Sequence, residues 1–277
     1  MAWKLFEGDC LEIMPLEIED KSIDMILCDL PYGTTACKWD TPLPLDELWI
    51  EYKRVIKDNG AIVLTASQPF TTRLISSNYD MFKYSWVWNK KLAGNGILAK
   101  IQPLKIHEDI LIFGKGKINY FPQMIKGELR KKLTNNLPIS EINGGDGIKC
   151  CNETFNDDYY PTSIFEFTIA NMRNGRLHPT QKPVKLFEYL IKTYTNEGDL
   201  VLDNCAGSGT TGVACEITNR NSILIEKEPE YCQIIHDRMK QAQELKLEAR
   251  KQQTLNSFNG QQTLTLKSTS HNQPINY

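Results

Sequence analysis

Short apolar runs alternate with amphipathic stretches over most of the chain. Compact runs rich in aliphatic and aromatic residues predict strands at 3–7, 23–28, 61–66, 84–88, 109–113, 200–202 and 222–225. Apolar positions three and four apart predict helices at 10–14, 45–56, 71–77, 184–193, 211–218 and 229–247. Such alternation implies an α/β domain. The rhythm breaks between about 115 and 177, where Asn135-Asn136, Gly144-Gly145-Asp146-Gly147 and Tyr159-Tyr160 fall and no element is predicted. An insertion of that length in an α/β domain is usually functional rather than a plain connection. From 252 to 277 the chain is rich in Gln, Asn, Ser and Thr, so a flexible or partner-dependent tail is expected.

At 277 residues the chain can bury a large core as one domain with an added lobe. No apolar run approaches the roughly 20 residues that span a bilayer. The N-terminal Met1-Ala2-Trp3-Lys4-Leu5-Phe6-Glu7 lacks the basic-then-apolar order of a signal peptide. A cytoplasmic protein with no membrane partner is the expectation. Eight cysteines (10, 28, 37, 150, 151, 205, 215 and 232) make no C-x-x-C pair and no zinc-like cluster with histidine. They read as free thiols, with no metal implied.

The net charge of −2 speaks against a nucleic-acid partner until its distribution is read. Residues 81–132 hold eleven Lys and Arg against three acids, a local charge of +8 that leaves −10 on the rest. A basic lobe on an acidic body can follow a phosphate backbone, although a solvated lysine-rich face has the same composition. Lys90, Lys91 and Lys105 are the candidate phosphate contacts. Trp86 and Trp88 flank Val87 in a predicted strand, so core packing is expected of at least one.

Candidate chemistry begins with Val201-Leu202-Asp203-Asn204-Cys205-Ala206-Gly207-Ser208-Gly209-Thr210-Thr211-Gly212, which runs from a strand into a helix. Gly207, Gly209 and Gly212 satisfy G-x-G-x-x-G, which lets backbone approach a ligand closely. Glu226 ends the next strand, where an acid can accept from ribose hydroxyls. Together these point to a nucleoside-bearing cofactor. Asp203, before the glycines, disfavours an anionic dinucleotide and suits the α-amino group and sulfonium of S-adenosylmethionine. A turn-forming Asp is the plainer alternative.

Asp203 and Glu226 belong to a larger pattern. Asp9 follows the first predicted strand and Asp29 the second, so four acids sit at strand ends. Ligands of open α/β sheets bind in the crevice outside the carboxyl ends. The two ends of the chain are therefore expected to build one site, with the cofactor strands last in a permuted order.

Asp29-Leu30-Pro31-Tyr32 supplies what methylation of a base amine requires. That nitrogen is a poor nucleophile, because its lone pair is delocalised into the ring. The Asp29 carboxylate and the Leu30 carbonyl can accept its two hydrogens and aim the lone pair at a methyl sulfonium. Pro31 restricts Leu30 to extended backbone. Tyr32 offers a face to a base swung out of the duplex, and Gly33 permits close approach.

With these residues in place, the chain resembles the β-group of DNA amino-methyltransferases, whose catalytic motif precedes the cofactor motif. The resemblance covers about 3–241. It includes Gly8-Asp9-Cys10, the Asp29 loop, Trp39-Asp40, Trp88-Asn89-Lys90, His107-Glu108-Asp109-Ile110-Leu111, His178-Pro179-Thr180-Gln181-Lys182-Pro183 and the glycine loop. Lys38-Trp39-Asp40 and Gln68-Pro69-Phe70 also resemble methylases carried by phages and prophages.

The resemblance implies a Rossmann-like class I methyltransferase fold, a permuted mixed seven-stranded sheet with helices on both faces. It implies methyl transfer from S-adenosyl-L-methionine to N6 of adenine in double-stranded DNA. Asp29 and the Leu30 carbonyl would hold the amine, and Tyr32 would stack on the base. Asp9 would accept from the cofactor's adenine amine, and Glu226 would hold its ribose. Asp203, the backbone of Cys205, Gly207, Ser208, Gly209 and Thr210, and Thr180 or Lys182 would surround the methionine end. Target recognition would fall in 115–177, between a catalytic half (1–114) and a cofactor half (178–250). A homodimer and a cognate restriction enzyme are candidate partners. Leu30 stands where the family usually has Pro, adding an N–H and loosening the loop, and Cys205 replaces a usual Phe.

Rival readings remain at this level. N4-cytosine methylation uses the same amine logic; in the family an initial Asp leans towards adenine and an initial Ser towards cytosine. An RNA base or a protein amide is a second rival, and an initial Asn would favour the amide. A dehydrogenase is disfavoured by Asp203, and an inactive DNA-binding relative by the intact Asp29, Tyr32, Gly207 and Gly209. His178 reads as structural or as a contact of the cofactor carboxylate.

Overall fold

The computed structural model describes residues 3–33, 41–133, 153–168 and 181–269, with the side chains of the last helix described as far as 252. The first half contains β1 (Trp3–Glu7), α1 (Cys10–Glu17), β2 (Ile23–Cys28), α2 (Leu45–Val55), β3 (Ile56–Ala66), α3 (Phe70–Ser77), β4 (Phe82–Asn89) and β5 (His107–Phe113). Then come β6 (Ile125–Leu133), β7 (Glu153–Tyr159) and β8 (Ile164–Glu166). The chain continues with α4 (Val184–Tyr194), β9 (Leu200–Asp203), α5 (Thr210–Ile217), β10 (Asn221–Glu226) and α6 (Pro229–Thr269).

Every strand and helix expected from the periodicity forms. Helix α6 carries helical backbone past its expected end at 247, through much of the stretch expected to be a flexible tail. Strands β6, β7 and β8 correct the expectation of no element in 115–177. The first two make a separate antiparallel ribbon. Their sequences, Ile-Lys-Gly-Glu-Leu-Arg-Lys-Lys-Leu and Glu-Thr-Phe-Asn-Asp-Asp-Tyr, lack the clean alternation of a strand with one buried face.

Among the described residues the main sheet has eight strands, in the order β1-β10-β9-β2-β3-β5-β4-β8. The expected seven are joined by β8, which pairs parallel to β4. Strands β1, β10, β9, β2 and β3 run parallel. Strand β5 is antiparallel to β3, and β4 is antiparallel to β5. The carboxyl ends of the five parallel strands therefore share one edge with the start of β5 and the end of β4. No helix among the described residues is long and apolar enough to cross a membrane.

Central strands are buried on both faces, which is why β2 and β3 read as unbroken apolar runs. Ile26 and Cys28 pack towards Leu48, Trp49 and Tyr52 of α2. Met25 and Leu27 pack on the other face with Leu186 and Leu190 of α4 and Ala214 of α5. Trp86 and Trp88 both lie in this second core, 4 % and 1 % exposed.

Helix α5 meets β10 and α6 at Gly212. A Cβ there would lie 2.7 Å from Leu224 Cδ1 and 2.9 Å from Met239 Sδ. Gly212→Val is expected to destabilise the protein by ~1–3 kcal/mol through overpacking. Urea unfolding would show a lower midpoint with an unchanged slope; an unchanged midpoint would mean that the contact relaxes freely.

Candidate active site

Asp29 leaves the sheet at the end of β2. Leu30 is 2 % exposed and packed into the core below. Its side chain pins the loop, which corrects the expectation that Leu in place of Pro loosens it. Asp29 Oδ1 accepts from Tyr32 Oη at 2.8 Å and from Thr65 Oγ1 at the end of β3. Asp29 Oδ2 accepts from Lys182 Nζ at 2.6 Å. Phe70 stacks on the Tyr32 ring, with centroids 5.2 Å apart and planes at 26°.

Lys182 continues into a chain of alternating charge. Its Nζ lies 3.4 Å from Glu108 Oε2, and Lys90 Nζ lies 2.9 Å from Glu108 Oε1. The side chains of Lys182, Lys90 and Glu108 are only 8 %, 11 % and 15 % exposed. Buried charges persist only when paired. Burial alone would lower the Lys182 ammonium, but the Asp29 and Glu108 carboxylates outweigh it and hold the pKa above the ordinary lysine value. Burial likewise opposes ionisation of Glu108, and Lys182 and Lys90 hold its carboxyl below the ordinary value. The Tyr32 phenol is raised by burial and by the Asp29 and Glu108 charges, so it stays a donor.

Beside this cluster lies the glycine loop. Gly207 and Gly209 adopt left-handed backbone, with φ of 52° and 76°. Gly207 N–H donates to Glu226 Oε2 at 2.6 Å, and Glu228 N–H to Glu226 Oε1 at 2.9 Å. Burial raises the Glu226 carboxyl against the pull of these amides. Asp203 is 3 % exposed. It accepts from Thr211 Oγ1, and from Cys205 N–H at 3.2 Å. Burial dominates and pushes its carboxyl up to about 7.

Several contacts fix the loop. Arg238 Nη1 of α6 donates to the Ser208 carbonyl, and to Ser208 Oγ at 3.0 Å. Thr210 Oγ1 donates to the Lys182 carbonyl at 3.5 Å, joining the loop to the segment that reaches Asp29. Asp9 caps α1 through Leu11 N–H at 3.0 Å and lies 3.2 Å from Lys227 Nζ. Asn204 Nδ2 donates to Cys10 Sγ at 3.4 Å and Cys205 Sγ at 3.6 Å.

Residues 23–237 match the N6/N4 methyltransferase family, described as DNA methylase. The chain belongs to this family. The methylase is 29% identical over 236 residues to Type II methyltransferase M.HpaI of Haemophilus parainfluenzae, covering 80% of this chain and 69% of that one. It is 28% identical over 244 residues to DNA adenine methyltransferase YhdJ of Escherichia coli K12, covering 83% and 80%. Among solved structures, M1.HpyAVI in complex with SAM superposes with a TM-score of 0.58 at 24% identity, covering 86% of this chain and 100% of that one. The cytosine-N4-specific PvuII DNA methyltransferase superposes with 0.60 at 18%, covering 86% of each. These neighbours carry the Rossmann-like class I methyltransferase fold. The family takes its methyl group from S-adenosylmethionine.

The methylase brings Asp9, Asp29, Asp203 and Glu226 to one edge of its sheet, as read from the strand ends. Lys182 is divided: its carbonyl touches the glycine loop and its ammonium belongs to Asp29. Lys90 is corrected from a surface phosphate contact to a buried partner of Glu108, because the ion pair compensates its burial. Lys91 stays at the surface beside Glu166, and Lys105 beside the Gln68 carbonyl. Thr180, His178, Trp39 and Asp40 lie outside the described residues. The sequence assigns no site role to Thr65, and it marks Glu108 only as part of the His107-Glu108-Asp109-Ile110-Leu111 motif. Their signal was their place at strand ends, hidden for Glu108 because an apolar run does not show which way its strand runs.

Proposed function

We propose that this DNA methylase transfers the methyl group of S-adenosyl-L-methionine to N6 of adenine within a specific sequence of double-stranded DNA. The observation that carries this reading is the fixed Asp29 carboxylate, held by Tyr32, Thr65 and Lys182 beside the glycine loop. The loop fits the cofactor: its left-handed glycines admit close backbone approach, and a buried acid stands at its foot. Asp203 would accept from the α-amino group and Glu226 from the ribose, with Asp9 at the adenine end. The backbone of 205–210 would surround the methionine end, with Thr180 or Lys182 as the further candidate contact. The bound cofactor supplies an electrophilic methyl group.

The chain's own residues do the rest. Phe70 backs one face of Tyr32, and the flipped base stacks on the other. Asp29 and the Leu30 carbonyl accept the two amine hydrogens, which localises the lone pair on nitrogen. Asp29 would also take the proton that the amine must lose once it is methylated. The β6–β7 ribbon carries the target-recognition role. A two-stranded ribbon fits the major groove, and this one exposes Leu129 and Phe155 together with Lys126, which is paired with Asp157 and Asp158. Lys91 and Lys105 contact phosphates.

An initial Asp favours adenine over cytosine, as does the likeness to the E. coli adenine methyltransferase. N4-cytosine methylation is the second reading, favoured by the PvuII enzyme's fold. Purified protein with labelled cofactor and duplex DNA tests both after digestion to nucleosides. Label in N6-methyladenine is expected. Label in N4-methylcytosine would replace the first reading by the second, and label in RNA alone would end both.

A further inference from the structure

We propose that Lys182 is a specificity-determining residue that donates a hydrogen bond to the ring nitrogen next to the target amine. This rests on the base-amine reading above and deepens it. Lys182 Nζ lies 2.6 Å from Asp29 Oδ2, so an acceptor and a donor stand side by side at the end of β2. Adenine presents the complement on its pairing edge, an amine and an adjacent ring nitrogen with a free lone pair, and cytosine does the same. Guanine places an N–H beside its amine and thymine has no amine, so both meet a donor where they need an acceptor. The Asp29–Lys182 pair thus copies the face of the partner that the flipped base has just left.

Three observations support the assignment. An ammonium has three donors. One goes to Asp29; the 3.4 Å approach to Glu108 Oε2 is an ion pair without a hydrogen bond, and Lys182 Nζ has no further hydrogen-bond partner among the described residues. Lys182 Nζ also lies over the ring of Tyr32, the residue assigned to stack on the base, 5.6 Å from its centroid. Finally, Glu108 and Lys90 brace it from behind. Glu108 is a positioning residue in this scheme: it keeps the ammonium from collapsing wholly onto Asp29.

The test compares duplexes carrying adenine or 1-deazaadenine at the mapped target position, with wild type and Lys182→Met. If the target proves to be cytosine, 3-deazacytosine takes its place. Removing the ring nitrogen weakens base pairing and alters the amine for both proteins, so the difference between their ratios isolates the Lys182 contact. Wild type is expected to discriminate against the deaza duplex about 10-fold or more strongly than Lys182→Met does, the scale of one specific base contact. Equal ratios in the two proteins would overturn the proposal and leave Lys182 as a holder of Asp29. If Lys182→Met turns over too slowly, duplex affinity measured with S-adenosylhomocysteine present gives the same comparison without chemistry. Absence of methyl transfer by wild type to any DNA would instead sink the underlying reading.

Discussion

Asp29→Ala is expected to lower methyl transfer to DNA by about 10²–10³-fold or more, the loss seen when a preorganised charge-stabilising group is removed. S-adenosylmethionine affinity should be retained, because Asp203 and Glu226 make the polar contacts assigned to the cofactor. The folded state should also survive. Removing one member of a buried ion pair costs ~3–5 kcal/mol when its partner is left alone, but Lys182 keeps Glu108 at 3.4 Å. The loop itself stays anchored by the buried Leu30 side chain. Single-turnover transfer and equilibrium cofactor binding, measured on the same preparation, separate these effects. Loss of both together would mean that Asp29 belongs to the cofactor site rather than to the amine.

Cofactor affinity should rise as pH increases through about 7, since burial pushes the Asp203 carboxyl up to about 7. Below that value the free protein carries a neutral acid, which attracts the cofactor's α-amino group weakly. Above it the carboxylate is ionised and affinity levels off. Each pH unit below the transition lowers affinity by up to about tenfold, until the acid titrates in the complex as well. The sign for stability is opposite. A carboxyl raised by folding contributes stability that is complete below the unfolded pKa and is lost as pH rises through the folded one. The cofactor-free protein therefore loses this contribution between about 4 and about 7, the range over which bound cofactor becomes most valuable. Asp203→Asn should bind weakly and without pH dependence between 6 and 8. A flat wild-type profile over that range would remove Asp203 from the amino-group contact.

The four acids could be read from sequence for a simple physical reason. Asp9, Asp29, Asp203 and Glu226 each follow an apolar run of strand length, and parallel strands deliver their carboxyl ends to one edge. Glu108 reaches the same edge from the opposite direction, at the start of a strand antiparallel to its neighbour β3. Apolar pattern encodes burial and not direction, so its membership of the site was not legible. Lys90 departs from its expected surface place for a related reason. A lone lysine reads as solvated, whereas this one is buried because Glu108, eighteen residues on, compensates it. The ribbon β6–β7 escaped because its strands carry lysines and aspartates where a core-facing strand would alternate. Leu30 shows the opposite case: a departure that looked loosening is an anchor once the core beneath it is visible.

The most direct measurement is base-resolved sequencing of DNA from host cells that express the wild type or Asp29→Ala. Wild type should leave N6-methyladenine at one position of one short sequence, and the Asp29→Ala host should lack it. Unmodified DNA in the wild-type host, or modification that persists in the Asp29→Ala host, would contradict the assignment of Asp29-Leu30-Pro31-Tyr32 as the catalytic loop of a DNA adenine methylase.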